Sequence, residues 1–258
     1  MKRNIGFFCI LLIFSCKAYS QQRPPQHTYS VLKVNTPALD SRIEVASNGD
    51  TVLISKYSIQ DVNTYSRQFV EKVYKGTPFF KNGWYPGLLY FEDNSDGNGT
   101  LAYNLINNIV YFSLGDKSEA VEAKPIGFTI SGQTFQKLDK KYQNVNTGYF
   151  ELIFGDKKVD LFRQYSCVYS AKITGERTGY EQEGGNYEGE YIKMHKLFLG
   201  YNENVVELKS NSGIYKQFGD YRNAMEKFGK ENKVNPKNEE GKIKLVVYFS
   251  YLLGEFEK

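Results

Sequence analysis

From about residue 40 to about residue 210 the chain alternates apolar and polar residues in short runs, broken by Asn, Gly, Asp and Ser, and no helical repeat intervenes. A period of two places alternate side chains on opposite faces of an extended strand, so such a chain builds sheets. Segments 42–46 and 51–55 flank Ser47-Asn48-Gly49-Asp50, and Asn-Gly accepts the positive φ of a tight hairpin turn. Segments 84–91 and 100–105 flank a polar stretch, 92–99, and 109–114 follows Asn107-Asn108, which predicts a three-stranded meander. Further strands are expected at 118–123, 128–131, 149–154, 158–164, 165–173, 191–201 and 205–209, with a tight turn at 154–158. The fold class is mainly β, an antiparallel sandwich or barrel-like body over 29–218. The 21 Tyr and 18 Phe suit it, because aromatic rings pair well across strands. Residues 176–189, rich in Gly and Glu, read as a long loop.

The pattern changes near residue 220. Tyr221, Ala224, Met225 and Phe228 fall at helical spacing behind Asp220 as a cap, and Asn238 with Glu239 and Glu240 marks a second helix start. That second segment runs through Ile243, Val246, Val247 and Leu253, although Val246-Val247-Tyr248-Phe249 suits a strand equally well by propensity. Residues 219–258 are expected to form a helical tail packed on the β body.

The chain opens with Lys2 and Arg3 followed by the apolar run 5–14, the pattern of a secretory signal over residues 1–20. Ten residues are too few to cross about 30 Å of hydrocarbon as a helix. Ala18-Tyr19-Ser20 fits a cleavage site, so Ser20 is the last residue removed and Gln21 the mature N-terminus. A competing route is lipidation of Cys16 within Ile13-Phe14-Ser15-Cys16, the only way this reading gives the chain a membrane tether. Residues 21–28 form a short linker. Export leads to the periplasm, the outer membrane or the medium. Loss of residues 1–20 removes Lys2, Arg3 and Lys17 and no acid, taking the formal charge from +4 to +1. A near-neutral chain without a basic cluster has no footprint for nucleic acid. Cys167 is the single cysteine beyond residue 16, which excludes an intramolecular disulfide in the mature chain and places a buried, inert thiol on a strand.

Gly76-Thr77-Pro78-Phe79-Phe80 with Trp84, Gly87 and Ala102-Tyr103-Asn104-Leu105 resembles the opening of a family of exported bacterial envelope proteins of unknown function. Gly148-Tyr149-Phe150-Glu151-Leu152 with Gly155, the run 161–165, and Phe218-Gly219-Asp220 through Glu239-Glu240 to Leu253 are similar to its later part. The likeness spans about residues 70–255 and implies export, with no activity or site residue to carry over.

Little in the chain spells out catalysis. Histidine occurs twice, as His27 in the linker and His195 on an expected strand, too few in the folded part for a two-histidine zinc site. Neither a Gly-x-Ser-x-Gly elbow nor a phosphate-cradling Gly-x-x-x-x-Gly-Lys occurs. Asn94, Asp96, Asn98 and Thr100 copy the oxygen spacing of a calcium loop, but the twelfth position is Leu105 where a bidentate Glu is required, so a plain hairpin loop is the stronger expectation. No cofactor is expected. The leading function is a non-catalytic binding or structural module of the envelope, with an envelope protein or a glycan as partner. The alternatives are a small-ligand or lipid carrier with a cavity in the β body, and a hydrolase whose carboxylates converge only on folding.

Overall fold

The computed structural model describes residue 38 and residues 40–255 apart from 61–66, 116–118, 139–140, 143–144, 146–147, 157, 172–186 and 210–212. Cys16, Ser20, Gln21, the linker with His27, and most of the Gly- and Glu-rich stretch 176–189 lie outside these residues.

Among the described residues thirteen strands form one sheet: β1 (Asp40–Val45), β2 (Thr51–Gln60), β3 (Arg67–Lys75), β4 (Tyr85–Tyr90), β5 (Asp96–Asn104), β6 (Ile109–Ser113), β7 (Val121–Ala123), β8 (Gly127–Ile130), β9 (Gln133–Gln136), β10 (Phe150–Gly155), β11 (Val159–Ala171), β12 (Gly189–Tyr201) and β13 (Asn204–Glu207). Their order is β1-β2-β3-β12-β11-β10-β9-β8-β4-β5-β6-β7, with β13 on β12 beside the main path. Among the strands described, all pairings are antiparallel except β3 with β12, which meet in parallel at Tyr74↔Gly189 and Lys75↔Glu190. The mainly β, antiparallel body is thus present, as a single open sheet rather than a two-sheet sandwich or a closed barrel. The helical tail follows as α1 (Arg222–Glu231) and α2 (Glu239–Glu255), behind a 3-10 segment, Ile214–Tyr221.

Several expectations are corrected. Segments 158–164 and 165–173 are one strand, β11, which pairs with β12 from Val159↔Tyr201 to Ala171↔Gly189. Strands β3 and β9 are additions. The polar stretch 92–99 is not all loop, since β5 already begins at Asp96. It can do so because Gly99 presses on β6: a Cβ there would stand 2.5 Å from the Phe112 ring and 2.6 Å from the Ser113 carbonyl. Asp220 does not cap α1. It lies within the 3-10 segment, and the N-cap residue, Tyr221, makes no side-chain capping bond. Asn238 does cap α2, its Oδ1 accepting from Gly241 N–H at 2.8 Å. The segment around Val246-Val247 is helical because burial overrides strand propensity: Leu245, Val246, Phe249, Leu252 and Leu253 recur at helical spacing and are all buried.

Cross-strand register defines the face that positions the site. Leu89, Phe128, Phe135, Glu151, Arg163 and Leu197 stand opposite one another in succession from β4 to β12. At the β4–β9 end of this row an aromatic core gathers Tyr103, Phe128, Phe135 and Tyr149, with the stacked Phe128 and Phe135 rings 5.0 Å apart. Phe80, from the 3-10 turn Phe80–Asn82, packs onto it and onto Tyr165. At the β11–β12 end Leu161, Leu197 and Leu199 pack against Met225 of α1 and Leu245, Val246 and Phe249 of α2. The other face carries a smaller core of Phe150, Phe162 and Phe198 under Leu138 and Tyr142. There the buried Asp160 accepts hydrogen bonds from Tyr142 Oη and, at 2.5 Å, from Lys141 Nζ.

Gly99→Val should destabilise the protein by about 1–3 kcal/mol, the range for overpacking a filled site. Urea denaturation checks this, and an unchanged midpoint would show that β6 yields to the added side chain.

Candidate functional site

Between the two cores of the helix-bearing face, the row of apolar side chains is interrupted by a cluster of polar ones. Glu151 on β10 and Arg163 on β11 are direct cross-strand neighbours, so Arg163 Nη1 donates to Glu151 Oε2 at 2.7 Å. Tyr165, two residues along β11, donates its hydroxyl to the same oxygen at 3.0 Å, and Gln133 Nε2 of β9 donates to Glu151 Oε1 at 2.6 Å. Arg163 Nη2 donates to Glu239 Oε1 in the first turn of α2. Glu239 Oε2 shares a 2.7 Å hydrogen bond with His195 Nε2 of β12. One guanidinium therefore joins two carboxylates, one from the sheet and one from the helix. The Arg163 and Glu151 side chains are only 18% and 12% exposed, so each ion depends on the other.

The charges set the protonation of the cluster. Burial alone would raise the Glu239 carboxyl, but the hydrogen bond and charge of Arg163, followed by those of His195, outweigh it and hold the group below its ordinary value of 4.5. Glu239 is thus an ionised acceptor at neutral pH and has no proton to donate as a general acid.

Beside this clasp a cleft of about 330 Å³ opens between the end of β13 and the start of α2. His195, Lys196 and Leu197 of β12 line one side, Glu207, Leu208 and Lys209 a second, and Lys237, Glu239 and Lys242 the third. Lys196 donates to Glu207 at 3.1 Å, and Lys242 to the Leu208 carbonyl at 2.6 Å. Burial lowers the Lys242 ammonium from its ordinary value, against the opposing pull of Glu207 and Glu239. Lys209 and Lys237 are exposed and form no ion pair with an acid among the described residues. A second recess of about 390 Å³, floored by Phe150, Phe198 and Val205, shares Glu207 and Lys209 with the cleft.

The residues singled out from the sequence fall elsewhere or in other roles. Asp96, Asn98 and Thr100 lie along β5 opposite Tyr90, Leu88 and Pro86, and Asn94 is in the preceding turn at φ 61°. A calcium loop curls its oxygens around one point, whereas a strand sets alternate residues in a line about 6.8 Å apart. Asp93, not Asp96, organises this turn, its Oδ1 accepting from Ser95 N–H at 3.0 Å and Ser95 Oγ at 2.5 Å. Cys167 is buried on β11 as expected, with its thiol pushed up by burial. Opposite it, Lys193 is lowered to about 8 by burial and donates to Asn82 Oδ1. His195, which the sequence offers only as a strand histidine without a second histidine for zinc, lines the cleft from β12. No local sequence signal places Glu151, Arg163, Lys209 or Lys237 at a site, and Glu239 stands out in the sequence only as a favourable charge at a helix start.

Comparison with protein families, with curated proteins and with solved structures found no match.

Replacing Glu239 by Gln should cost roughly 1–2 kcal/mol at neutral pH, since two charge-assisted bonds weaken at a site about a third exposed. The sign with pH follows from the lowered carboxyl: its contribution is complete above 4.5 and lost as pH falls through the folded value. Denaturation curves of the wild type and Glu239→Gln should therefore differ at pH 7 and converge on acidification below 4.5. A gap unchanged down to pH 3 would contradict this.

Proposed function

We propose that the chain is an exported, non-catalytic envelope protein that acts as a binding module, with the cleft between β12–β13 and α2 as its binding surface. One contrast carries this reading: the carboxylates of Glu151 and Glu239 are joined by Arg163, whereas Lys209 and Lys237 at the adjoining cleft have no acidic partner among the described residues. A hydrolase needs one carboxyl that keeps a proton and one free to act as base or nucleophile. Glu239 is held ionised, and Glu151 is engaged by Arg163, Tyr165 and Gln133. A carrier within the β body draws less support, because the aromatic core fills the face that a ligand cavity would occupy. The envelope as the place of action rests on the basic head and apolar run of residues 1–20.

Two measurements test the reading. Intact-mass analysis of envelope fractions should find a chain beginning at Gln21; an acyl adduct on Cys16 would select the lipoprotein route, and a retained leader would remove the export claim. Purified mature protein should release no product from a panel of chromogenic glycosides and esters. Turnover that Glu151→Gln abolishes without lowering Tm would make the clasp a catalytic pair and overturn the proposal.

A further inference from the structure

The cleft beside the Arg163 clasp carries more positive charge than its acids balance. Lys196, Lys209, Lys237 and Lys242 face it against Glu207 and Glu239, an excess of two positive charges among the lysines and acids. Part of the acidic charge is already engaged, since Glu207 accepts from Lys196 and Glu239 accepts from Arg163 outside the lining. The excess resides in Lys209 and Lys237, which line the cleft from different segments, one just after β13 and the other just before α2. Lys242, drawn in from α2, donates to a neutral backbone carbonyl and is the lysine of the cleft on which the charges of Glu207 and Glu239 pull.

We propose that this cleft binds a phosphomonoester group, deepening the binding-module reading on which the inference rests by naming the chemistry of its ligand. Three observations fit that group. A phosphomonoester carries about −1.5 to −2 charges near pH 7, matching the excess of two. Lysine ammonium groups serve as point charges toward phosphate oxygens, without the planar fork that arginine brings to a carboxylate. A cleft of about 330 Å³ has room for the tetrahedral group and its ester carbon. The Lys242 ammonium, which burial makes harder to protonate, regains an opposite charge when the site fills.

The phosphate group has two sources, a free phosphorylated metabolite or the head of a phospholipid, and the test separates them. Full mature chain is titrated calorimetrically with glycerol 3-phosphate, and in parallel with phosphatidylcholine vesicles with and without phosphatidic acid, all at constant ionic strength. Binding of either phosphate probe is expected, weakened about tenfold or more in Lys209→Gln/Lys237→Gln, since two charge-assisted contacts are lost. Both side chains are exposed, so this variant should keep the wild-type Tm. Lys227→Gln/Lys230→Gln, which removes the same charge from α1, should bind as the wild type does. Preference for the soluble ester assigns the site to a free metabolite, and preference for the acidic vesicles assigns it to a lipid head. Absence of binding in both arms, or equal loss in the two double variants, overturns the proposal. The binding-module reading would then still stand or fall on its own turnover assay.

Discussion

The bridge that Arg163 makes between Glu151 and Glu239 is the constraint on which the arrangement of the C-terminal half depends. The arginine stands in a row of side chains whose other members are almost all apolar, and a cation there is tolerable only with carboxylates in direct contact. Glu151 is supplied by the neighbouring strand through register alone. Glu239 has to be brought by α2, which fixes where that helix begins relative to β11 and β12. The apolar contacts of Leu245, Val246 and Phe249 drive α2 onto the sheet, and the ion pair selects the position at which it settles.

That position creates the cleft. With Glu239 on Arg163, the residue two before it, Lys237, and the residue three after it, Lys242, come beside the end of β13, where the Leu208 carbonyl receives Lys242. Asn238 holds the first turn of the helix between them. A structural clasp and a candidate binding surface thus share Glu239 and His195, and any ligand in the cleft lies against the residues that dock the tail. Occupancy is expected to stabilise the docked helix by mass action, without any change in the sheet.

Much of the architecture was legible in the sequence. The period-two runs predicted most of the strands, and the change of period near residue 220 marked the helical tail. The errors are physical and local. Strand β9, Gln-Thr-Phe-Gln, has a single apolar residue to give it a pattern, yet Ser131-Gly132 before it, at φ 50° and 77°, is a two-residue hairpin turn that announces it. Strand β3 is half charged because Lys72 and Lys75 lie near acids, Glu188 and Asp50, on other segments. The start of β5 was hidden because Gly97 and Gly99 read as turn residues, while in the fold one of them makes room for Phe112. The site was almost illegible. With 29 acids in the chain, nothing local distinguishes Glu151 or Glu239, and their meeting at Arg163 requires strand register and helix docking together.

The claim that the clasp registers α2 on the sheet is tested most directly by a double-mutant cycle on Arg163→Met and Glu239→Gln, read both by denaturation and by amide exchange across α2. A direct pair that positions the helix predicts a coupling within the range of about 0.5–3 kcal/mol for residues in contact, with α2 amides losing protection in each single variant. Additive losses, with α2 amides as protected as in the wild type, would show that apolar packing alone sets the helix and that the ion pair merely follows it.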